Sequence, residues 1–301
     1  MGMQSRTPLG LFFLPSREVN GPNKVALNLM SGLRKLGIPF SENELGDRNG
    51  CLQSWAPKAM DLPEDTLFGP NTSDVPSIPH VWARYKRFVA NCKWTFDMYN
   101  QWSQAKGKMV GVWPVGIDTE RFNDAGRSPT KDCLLYVKGV SERFSGDEER
   151  IQKALSKRRL SYSILRYGSY SERDLILATK THSFCFLLTN TESQGIAYME
   201  VLSSGLPCYV LKVNTVSPRT TKAYGLANIP ASSTPYFSRE CGISDDRNMS
   251  RFDEFLDRVS KFTPREYILR RHTLEDSARR YIQLVLDQDG SYQFDENEEQ
   301  T

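Results

Sequence analysis

The sequence predicts an α/β protein with two doubly wound domains, each a parallel sheet covered by helices on both faces. Short apolar runs of strand length alternate along the chain with segments whose apolar residues recur at helical spacing. Several runs, such as residues 183–188, are apolar throughout, which is typical of parallel strands buried on both faces. At 301 residues the chain is long enough for about two domains of ~150 residues each.

The first half opens with a predicted strand and helix. Residues 9–14, LGLFFL, form an apolar run of strand length. Apolar residues at positions 25, 29, 33 and 36 predict one face of a helix, with Pro22 in its first turn and Gly37 at its end. Residues 38–107 contain many proline and glycine turn signals and predict no definite order of elements. Residues 108–113 then predict another buried strand.

The second half alternates more regularly. A polar stretch near residues 124–131 separates it from the first half, and Ser171 and Asp174 have the spacing of a capping box. The predicted strands are residues 133–137, 163–166, 183–188 and 207–211, and the predicted helices are residues 147–160, 171–180 and 193–204.

Two further helical regions follow the last predicted strand. The apolar residues at positions 252, 255, 256 and 259 share one helical face, and residues 263–266 form a capping box with proline in the first turn. We therefore expect a first domain at 1–125, a second domain at 126–265, a last helix at 266–286 and an acidic tail at 287–301, which has six acids and no bases.

The composition excludes several classes of protein. An aromatic content of 11% is too high for a disordered chain, and no apolar run approaches the ~18–20 residues of a membrane-spanning helix. The N-terminus does not have the pattern of a signal peptide, so a cytoplasmic location is expected. The net charge of +3 is too small to indicate nucleic-acid binding by itself. The six cysteines lack zinc-site spacing and are expected to be buried free thiols.

Ligands of open α/β sheets bind at the carboxyl ends of the strands, so the loops after the predicted strands are the places to look for a site. The loop after residue 188 has two carboxylates, Glu192 and Glu200, on either side of Gly195. Gly195 allows another group to approach the backbone, and the N-terminus of the following helix suits a phosphate. If one helix joins the two carboxylates they lie ~12 Å apart, about the length of a sugar-diphosphate-ribose unit.

Simpler interpretations of these loops also fit. Glu192 and Glu200 have the spacing of an N-capping acid followed by a surface glutamate, although the apolar neighbours of Glu200 indicate a buried carboxylate that needs a partner. Lys138 and Arg143, after the strand at 133–137, suit a diphosphate but equally fit solvated loop charges. Gly21 precedes the first helical face and either closes over a ligand or simply begins a helix.

Other motifs carry less weight. His80 lies in the turn-rich region and could reach a cleft, whereas His182 and His272 are better explained as surface or structural residues. The Asp287-Gln-Asp289 segment resembles a metal-binding DxD but lies in the acidic tail, so we expect no metal site. The sequence has no GxGxxG, P-loop, HExxH or GxSxG motif, which argues against a dinucleotide dehydrogenase, a P-loop NTPase, a zincin and an α/β-hydrolase.

Four segments together resemble one family. Glu192 and Glu200, followed by LSSGLP at 202–207, resemble the E-x7-E motif of retaining GT-B glycosyltransferases, in particular glycosyltransferase family 4. PVGIDTERF at 114–122 resembles the P-x-GID-x-x-x-F segment that ends the family's N-terminal domain. LLYVKG at 134–139 resembles the first strand of the family's donor domain, and GPNKVALNL at 21–29 resembles the glycine loop and first helix of its acceptor domain. At 301 residues the chain is short for this fold and is similar to the compact glycosyltransferases encoded by chlorella viruses.

The resemblance implies a GT-B fold, in which two Rossmann-like domains face each other across a cleft that holds the donor. The first domain would bind the acceptor, with contacts from residues 38–107, and the last helix would cross back onto it. Glu192 would lie against the donor sugar as the catalytic carboxylate, and Glu200 would hold the ribose hydroxyls.

The resemblance also implies how the diphosphate of the donor is held. The backbone amides of Gly195, Ile196 and Ala197 would bind it at the helix N-terminus, and Lys138 and Arg143 would neutralise it. Family members often have arginine and then lysine at these two places, so the order differs here. Gly21 would lie near the diphosphate, and His80 is a further donor-side residue by the same resemblance.

The expected activity is therefore retaining transfer of a sugar to a hydroxyl of a glycan or glycoprotein. Mannose from GDP-mannose is the first expectation for the donor and UDP-glucose the second, with no metal or other cofactor and with a homodimer as the expected assembly. Two alternatives remain open. One is a catalytically silent GT-B module that binds a nucleotide sugar or glycan. The other is a nucleic-acid-binding protein that uses the positive charge of the chain outside its acidic tail.

Overall fold

The computed structural model describes residues 8–16, 21–56, 58–71, 79–139 and 145–287. Within those residues the chain divides into two compact units. The first domain contains the chain as far as Gly116, then Ser217–Ile229 and the chain from His272 onward, and the second domain contains Ile117–Val216 and Pro230–Arg271. No helix in the described ranges has both the length and the apolar character needed to cross a membrane.

The elements alternate between strand and helix along most of the chain. In order they are β1 (Leu9–Phe12), α1 (Gly21–Lys35), β2 (Ser41–Glu42), β3 (Arg48–Gln53), β4 (Leu67–Asn71), α2 (Pro79–Arg84), β5 (Arg87–Ala90), α3 (Lys93–Gln101), β6 (Met109–Val112), β7 (Lys131–Lys138), α4 (Asp147–Lys157), β8 (Tyr162–Arg166), α5 (Glu172–Thr181), β9 (His182–Thr189), α6 (Ile196–Ser203), β10 (Cys208–Leu211), α7 (Pro218–Tyr224), β11 (Gly242–Asp245), α8 (Phe252–Arg258), α9 (Pro264–Arg271) and α10 (Leu274–Leu286).

The first domain is a parallel six-stranded sheet in the order β2-β1-β3-β4-β5-β6. Helix α10 packs on α1, and Gly32 permits the close approach because a Cβ at that position would lie 2.2 Å from the Leu274 carbonyl oxygen. The region at 38–107 that predicted no definite order contains strands β2 to β5. Their sequences, such as RNGCLQ in β3, mix glycine and polar residues with apolar ones and so lack a clear periodicity.

The division between the domains falls after Gly116, whereas the polar composition of residues 124–131 indicated 125/126. Gly116 belongs with the first domain, because its carbonyl oxygen accepts a hydrogen bond from Asn28 Nδ2 at 2.7 Å. Phe122 is already part of the second domain, where its carbonyl oxygen accepts from Ser203 Oγ at 2.6 Å and Arg265 Nη1 at 3.1 Å. The division is thus marked by hydrogen bonds from distant side chains to backbone carbonyls, which composition does not reveal.

The second domain is a parallel five-stranded sheet in the order β11-β10-β9-β7-β8. The sequence predicts β7 to β10 and helices α4 and α5 at nearly their observed positions, and the capping box of α5 at Ser171 and Asp174 is confirmed. Strand β11 and helix α7 were not predicted. All six cysteines are free and buried, as expected.

Helix α6 differs from its prediction in a way that matters for the site. The sequence predicts a helix over 193–204, but α6 begins at Ile196. Gly195 adopts a left-handed backbone conformation with φ 69°, which interrupts the helical path before that point. Glu192 therefore lies in the loop between β9 and α6, and the ~12 Å estimate for a continuous helix from Glu192 to Glu200 does not apply.

Candidate functional site

An ion pair at the carboxyl edge of the second sheet joins two of the predicted site residues. Lys138 is the last residue of β7, and Glu192 lies three residues beyond the end of β9. Because β7 and β9 are neighbours with Lys138 opposite Thr189, the two loops leave the sheet side by side. Lys138 Nζ lies 2.8 Å from Glu192 Oε1 and 2.9 Å from Oε2, so the ammonium group bridges both carboxylate oxygens.

The two members of the pair differ in exposure. The Glu192 side chain is 9% exposed and that of Lys138 is 31% exposed. Burial raises the pKa of Glu192, and the charge of Lys138 and its hydrogen bond act in the opposite direction without cancelling the effect of burial. Lys138 therefore stabilises the charged form of a carboxylate that burial disfavours.

Backbone contacts hold the Glu192 loop in place. The Glu192 amide donates to the Ser232 carbonyl oxygen at 2.9 Å. The single hydrogen of the Thr189 hydroxyl is shared between the carbonyl oxygens of Asn190 at 3.1 Å and Ser233 at 3.4 Å. Residues 232–233, which come after β10 in the chain, therefore support the loop that carries the carboxylate.

The N-terminus of α6 is built around Gly195. Glycine has no side chain that could cap the N–H groups in the first turn of the helix. The first intrahelical hydrogen bond runs from Met199 N to Gly195 O at 3.1 Å, so the N–H groups before Met199 have no partner within the helix. A Cβ at Gly195 would lie 1.9 Å from the ring of Tyr198, whose hydroxyl is held by the Tyr236 amide at 3.0 Å. The aromatic ring thus requires glycine at this cap, and the helix presents amides and the positive end of its dipole.

Glu200 lies one turn into α6 and is 2% exposed. The sequence indicated this burial through the apolar neighbours of Glu200, and the structure bears it out. Ile196 is buried and Ala197 half-buried in the first turn of the same helix. Six of the predicted residues thus lie on the second-domain elements that meet at this edge, namely the ends of β7 and β9 and the start of α6. They are Lys138, Glu192, Gly195, Ile196, Ala197 and Glu200.

Three tyrosines at the same edge were not predicted. Lys138 Nζ lies 4.7 Å from the ring centroid of Tyr167, and the hydroxyl oxygens of Tyr136 and Tyr170 are 3.1 Å apart. Burial raises the pKa of Tyr170 to about 12, with further contributions from the charges of Glu200 and Glu192. The charges of both carboxylates thus disfavour the ionised form of Tyr170. The available signal was the position of Tyr167 and Tyr170 just beyond a predicted strand.

The remaining predicted residues are not part of this edge of the second domain. Gly21 is the first residue of α1, and His80 is an exposed residue of α2, both in the first domain. Arg143 lies outside the described residues, as does Asp289 of the DxD segment. His182 and His272 are buried, and His182 Nδ1 lies 2.9 Å from the Ala178 carbonyl oxygen, which agrees with structural roles.

The part of the chain that the structure describes contains no group of three or more histidine, cysteine, aspartate or glutamate residues placed to hold a metal ion. The absence of a metal requirement stays a prediction.

Comparison with solved structures identifies the fold. The chain is similar to the sucrose-phosphate synthase from Thermosynechococcus elongatus, with 12% identity, a TM-score of 0.51 and coverage of 90% of this chain and 79% of that one. It is also similar to the lipopolysaccharide outer core galactosyltransferase WaaB, with 12% identity, a TM-score of 0.53 and coverage of 92% and 98%. A third similar structure is the catalytic domain of starch synthase IV from Arabidopsis thaliana, with 12% identity, a TM-score of 0.50 and coverage of 87% and 75%.

These neighbours are GT-B glycosyltransferases, and the predicted GT-B class with two parallel-sheet α/β domains is confirmed. No family model matches the chain, and no curated protein matches it by sequence. At 12% identity the likeness defines the fold and leaves the activity to be argued from the site.

Proposed function

We propose that the chain is a retaining glycosyltransferase that moves a hexose from a nucleotide-diphosphate donor to a hydroxyl of a glycan or glycoprotein. The observation that carries the proposal is the buried Glu192 carboxylate, paired with Lys138, directly before the glycine-capped N-terminus of α6. A carboxylate, a cation and a set of backbone amides at one sheet edge match the chemical parts of a sugar diphosphate. The E-x7-E resemblance supports the same assignment.

In this proposal the diphosphate binds at the start of α6. The amides of Gly195, Ile196 and Ala197 donate to its oxygens, and the helix dipole favours its charge. The Lys138 ammonium has three N–H donors, of which the two Glu192 oxygens take two, so one remains to reach a phosphate oxygen. Glu200, buried in the same helix, binds the ribose hydroxyls.

Glu192 contacts the donor sugar as the catalytic carboxylate. During transfer the anomeric carbon loses its bond to the diphosphate, which leaves with the electron pair, and gains a bond to the acceptor oxygen on the same face. The acceptor proton passes to the departing diphosphate. Positive charge develops on the sugar ring, as in other glycosyl transfers, and a neighbouring carboxylate stabilises it. The amides of α6 and Lys138 stabilise the leaving group.

GDP-mannose is the donor we propose first, because the loop that leads into α1 resembles that of family mannosyltransferases, and UDP-glucose is second. Binding needs no metal in this proposal, since backbone amides and Lys138 supply the positive charge. Membership of family 4, the likeness to the chlorella-virus enzymes, a homodimer and a cytoplasmic location also stand as proposals that follow from the sequence.

Calorimetric titration of the full chain with GDP- and UDP-sugars, in the presence of a chelator, tests donor binding. We expect one nucleotide sugar to bind, and Lys138→Met to weaken it by about tenfold or more, as for loss of one charge-assisted contact. Lys153→Met, which removes an exposed lysine from α4, is the matched control and should bind as the wild type does. If no donor binds with or without magnesium, the proposal is wrong.

Turnover separates an enzyme from a binding module. Glu192→Gln keeps the shape of the side chain, so it should retain donor binding and lose release of the nucleoside diphosphate. Wild-type protein that binds a donor but releases no diphosphate, with or without added glycans, would instead be a silent module.

A further inference from the structure

Strand β3 of the first domain ends in a tight turn at the carboxyl edge of its sheet. The Ala56 amide donates to the Gln53 carbonyl oxygen at 3.1 Å, which places Ser54 and Trp55 at the two central positions. Trp55 is 36% exposed, and Leu14, beyond the end of the neighbouring strand β1, is 42% exposed. Two large apolar side chains therefore reach solvent from adjacent strand ends.

The residue before this turn pair, Gln53, has a buried side-chain amide of which only the oxygen has a hydrogen-bond partner among the described residues. Gln53 is 0% exposed, and its Oε1 accepts from the Leu14 amide at 2.8 Å. Because Leu14 N can only donate, this bond fixes which end of the Gln53 amide carries the oxygen and turns Nε2 away from Leu14. Within the described residues Nε2 has no hydrogen-bond partner.

The hydroxyl of Ser54, next in the chain, is in the same state. Ser54 is 7% exposed, and its Oγ likewise has no hydrogen-bond partner within the described part of the chain. A buried polar group without a partner is destabilising, so most such groups in folded proteins are paired. Two consecutive exceptions beside an exposed indole indicate a place where a polar ligand completes the hydrogen bonding.

We propose that Gln53, Ser54 and Trp55 form a carbohydrate-binding site for a neutral hexose unit. A sugar ring offers hydroxyl oxygens that accept from the Gln53 amide and the Ser54 hydroxyl, and an apolar C–H face that packs on the Trp55 indole. None of the three side chains is charged, which favours a neutral hydroxylated ligand over a phosphate. The proposal rests on the proposed function in one respect: it makes this hexose part of the acceptor.

Binding at this site changes the surroundings of Trp55. Nε2 of Gln53 and Oγ of Ser54 lie beneath the surface, so a sugar hydroxyl reaches them only when side chains around the turn move aside. The indole of the next residue in the chain, Trp55, is exposed, and a sugar packed on it shields it from collisional quenchers. Saturation-transfer NMR and acrylamide quenching of tryptophan fluorescence therefore report on the same event.

The test uses the full chain and a fixed panel of methyl α- and β-glycosides of mannose, glucose and galactose and their common disaccharides. Each is measured with and without GDP or UDP, so that ordered binding is included. We expect saturation transfer to the ring protons of at least one panel sugar, with loss of about tenfold or more in affinity for Trp55→Ala and about fivefold for Ser54→Ala. Trp94→Ala, in the half-buried part of α3, is the matched control and should bind normally.

Two results would overturn the site. One is absence of transfer to every panel sugar under all nucleotide conditions, and the other is equal affinity in wild type and Trp55→Ala. Circular dichroism of each variant verifies folding, and the exposed position of Trp55 makes its truncation compatible with the fold. Titration of the same samples with nucleotide sugars distinguishes the two proposals: donor binding without glycoside binding refutes this site alone, and glycoside binding without donor binding refutes the donor proposal alone.

Discussion

Removing Lys138 should destabilise the second domain, because it leaves the Glu192 carboxylate buried without its cation. The change to make is Lys138→Met, which keeps the length and apolar stem of the side chain. Both carboxylate oxygens lose a contact, at 2.8 and 2.9 Å, and the Glu192 side chain is 9% exposed. Water therefore cannot readily replace the ammonium group.

The size of the effect follows from the geometry. Two unit charges about 3 Å apart attract by about 5.5 kcal/mol at an effective dielectric constant of about 20. Breaking a buried pair on one side typically costs about 3–5 kcal/mol, and the 31% exposure of Lys138 points to the lower end, about 3 kcal/mol. Glu192→Gln should cost about 1 kcal/mol, because Lys138 keeps an amide oxygen as partner and has access to water. The double variant, Lys138→Met with Glu192→Gln, should be at most about 1 kcal/mol less stable than Glu192→Gln alone.

The pH dependence has a definite sign. The pKa of Glu192 in the folded protein is raised above the ordinary value of 4.5. Protonation of Glu192 therefore adds to the stability of the fold below pH 4.5, and this added stability is lost as the pH rises through the raised pKa. The charge and hydrogen bond of Lys138 lower the pKa of Glu192, so Lys138→Met should raise that pKa further. The free-energy difference between wild type and variant should therefore be small near pH 4 and reach its full size at neutral pH and above.

The two domains can be followed separately. All five tryptophans of the chain are in residues 55–113 of the first domain, so tryptophan fluorescence in urea reports that domain and should be unchanged. Hydrogen exchange of peptides from β7 and β9 reports the second. A loss of less than about 1 kcal/mol in exchange protection, or a loss equal at pH 4 and pH 8, would refute the argument that Glu192 is held ionised by Lys138.

Three further results are expected. Gly195→Ala should destabilise the second domain more than Gly146→Ala does: both glycines cap helices at left-handed φ, of 69° and 85°, but only a Cβ at 195 meets the Tyr198 ring, at 1.9 Å. Thermal unfolding of the two variants tests this, and equal shifts would contradict the role of the ring. Tyr281→Phe should be neutral or stabilising by up to about 1 kcal/mol, because the Tyr281 hydroxyl is buried without a hydrogen-bond partner among the described residues, and a clear loss of stability would show an unseen partner. Arg87→Met should increase hydrogen exchange at the end of α10, where the Arg87 guanidinium donates to the carbonyl oxygens of Leu284 at 2.6 Å and Val285 at 3.3 Å; unchanged exchange would mean that this cap is dispensable.

Much of the second domain could be predicted because its signals are local. Strands β7, β9 and β10 are short apolar runs, and the capping box of α5 lies within four residues. The first domain was harder because β3 and β4 have sequences such as RNGCLQ and LFGPN. Gly50 shows why: a Cβ there would lie 2.1 Å from the Tyr281 hydroxyl, so packing against a distant helix, and not a periodic pattern, selects the residue.

The sequence by itself determined which residue types follow the strands: a lysine after the strand at 133–137, and two carboxylates and a glycine after the strand at 183–188. It also indicated the burial of Glu200 and the GT-B class. Only the tertiary structure decided that Lys138 binds Glu192 and that the Tyr170 hydroxyl meets that of Tyr136. Strands β7 and β9 are neighbours although β8 lies between them in the chain, and contacts across such a crossover depend on strand order and register, which local sequence does not encode.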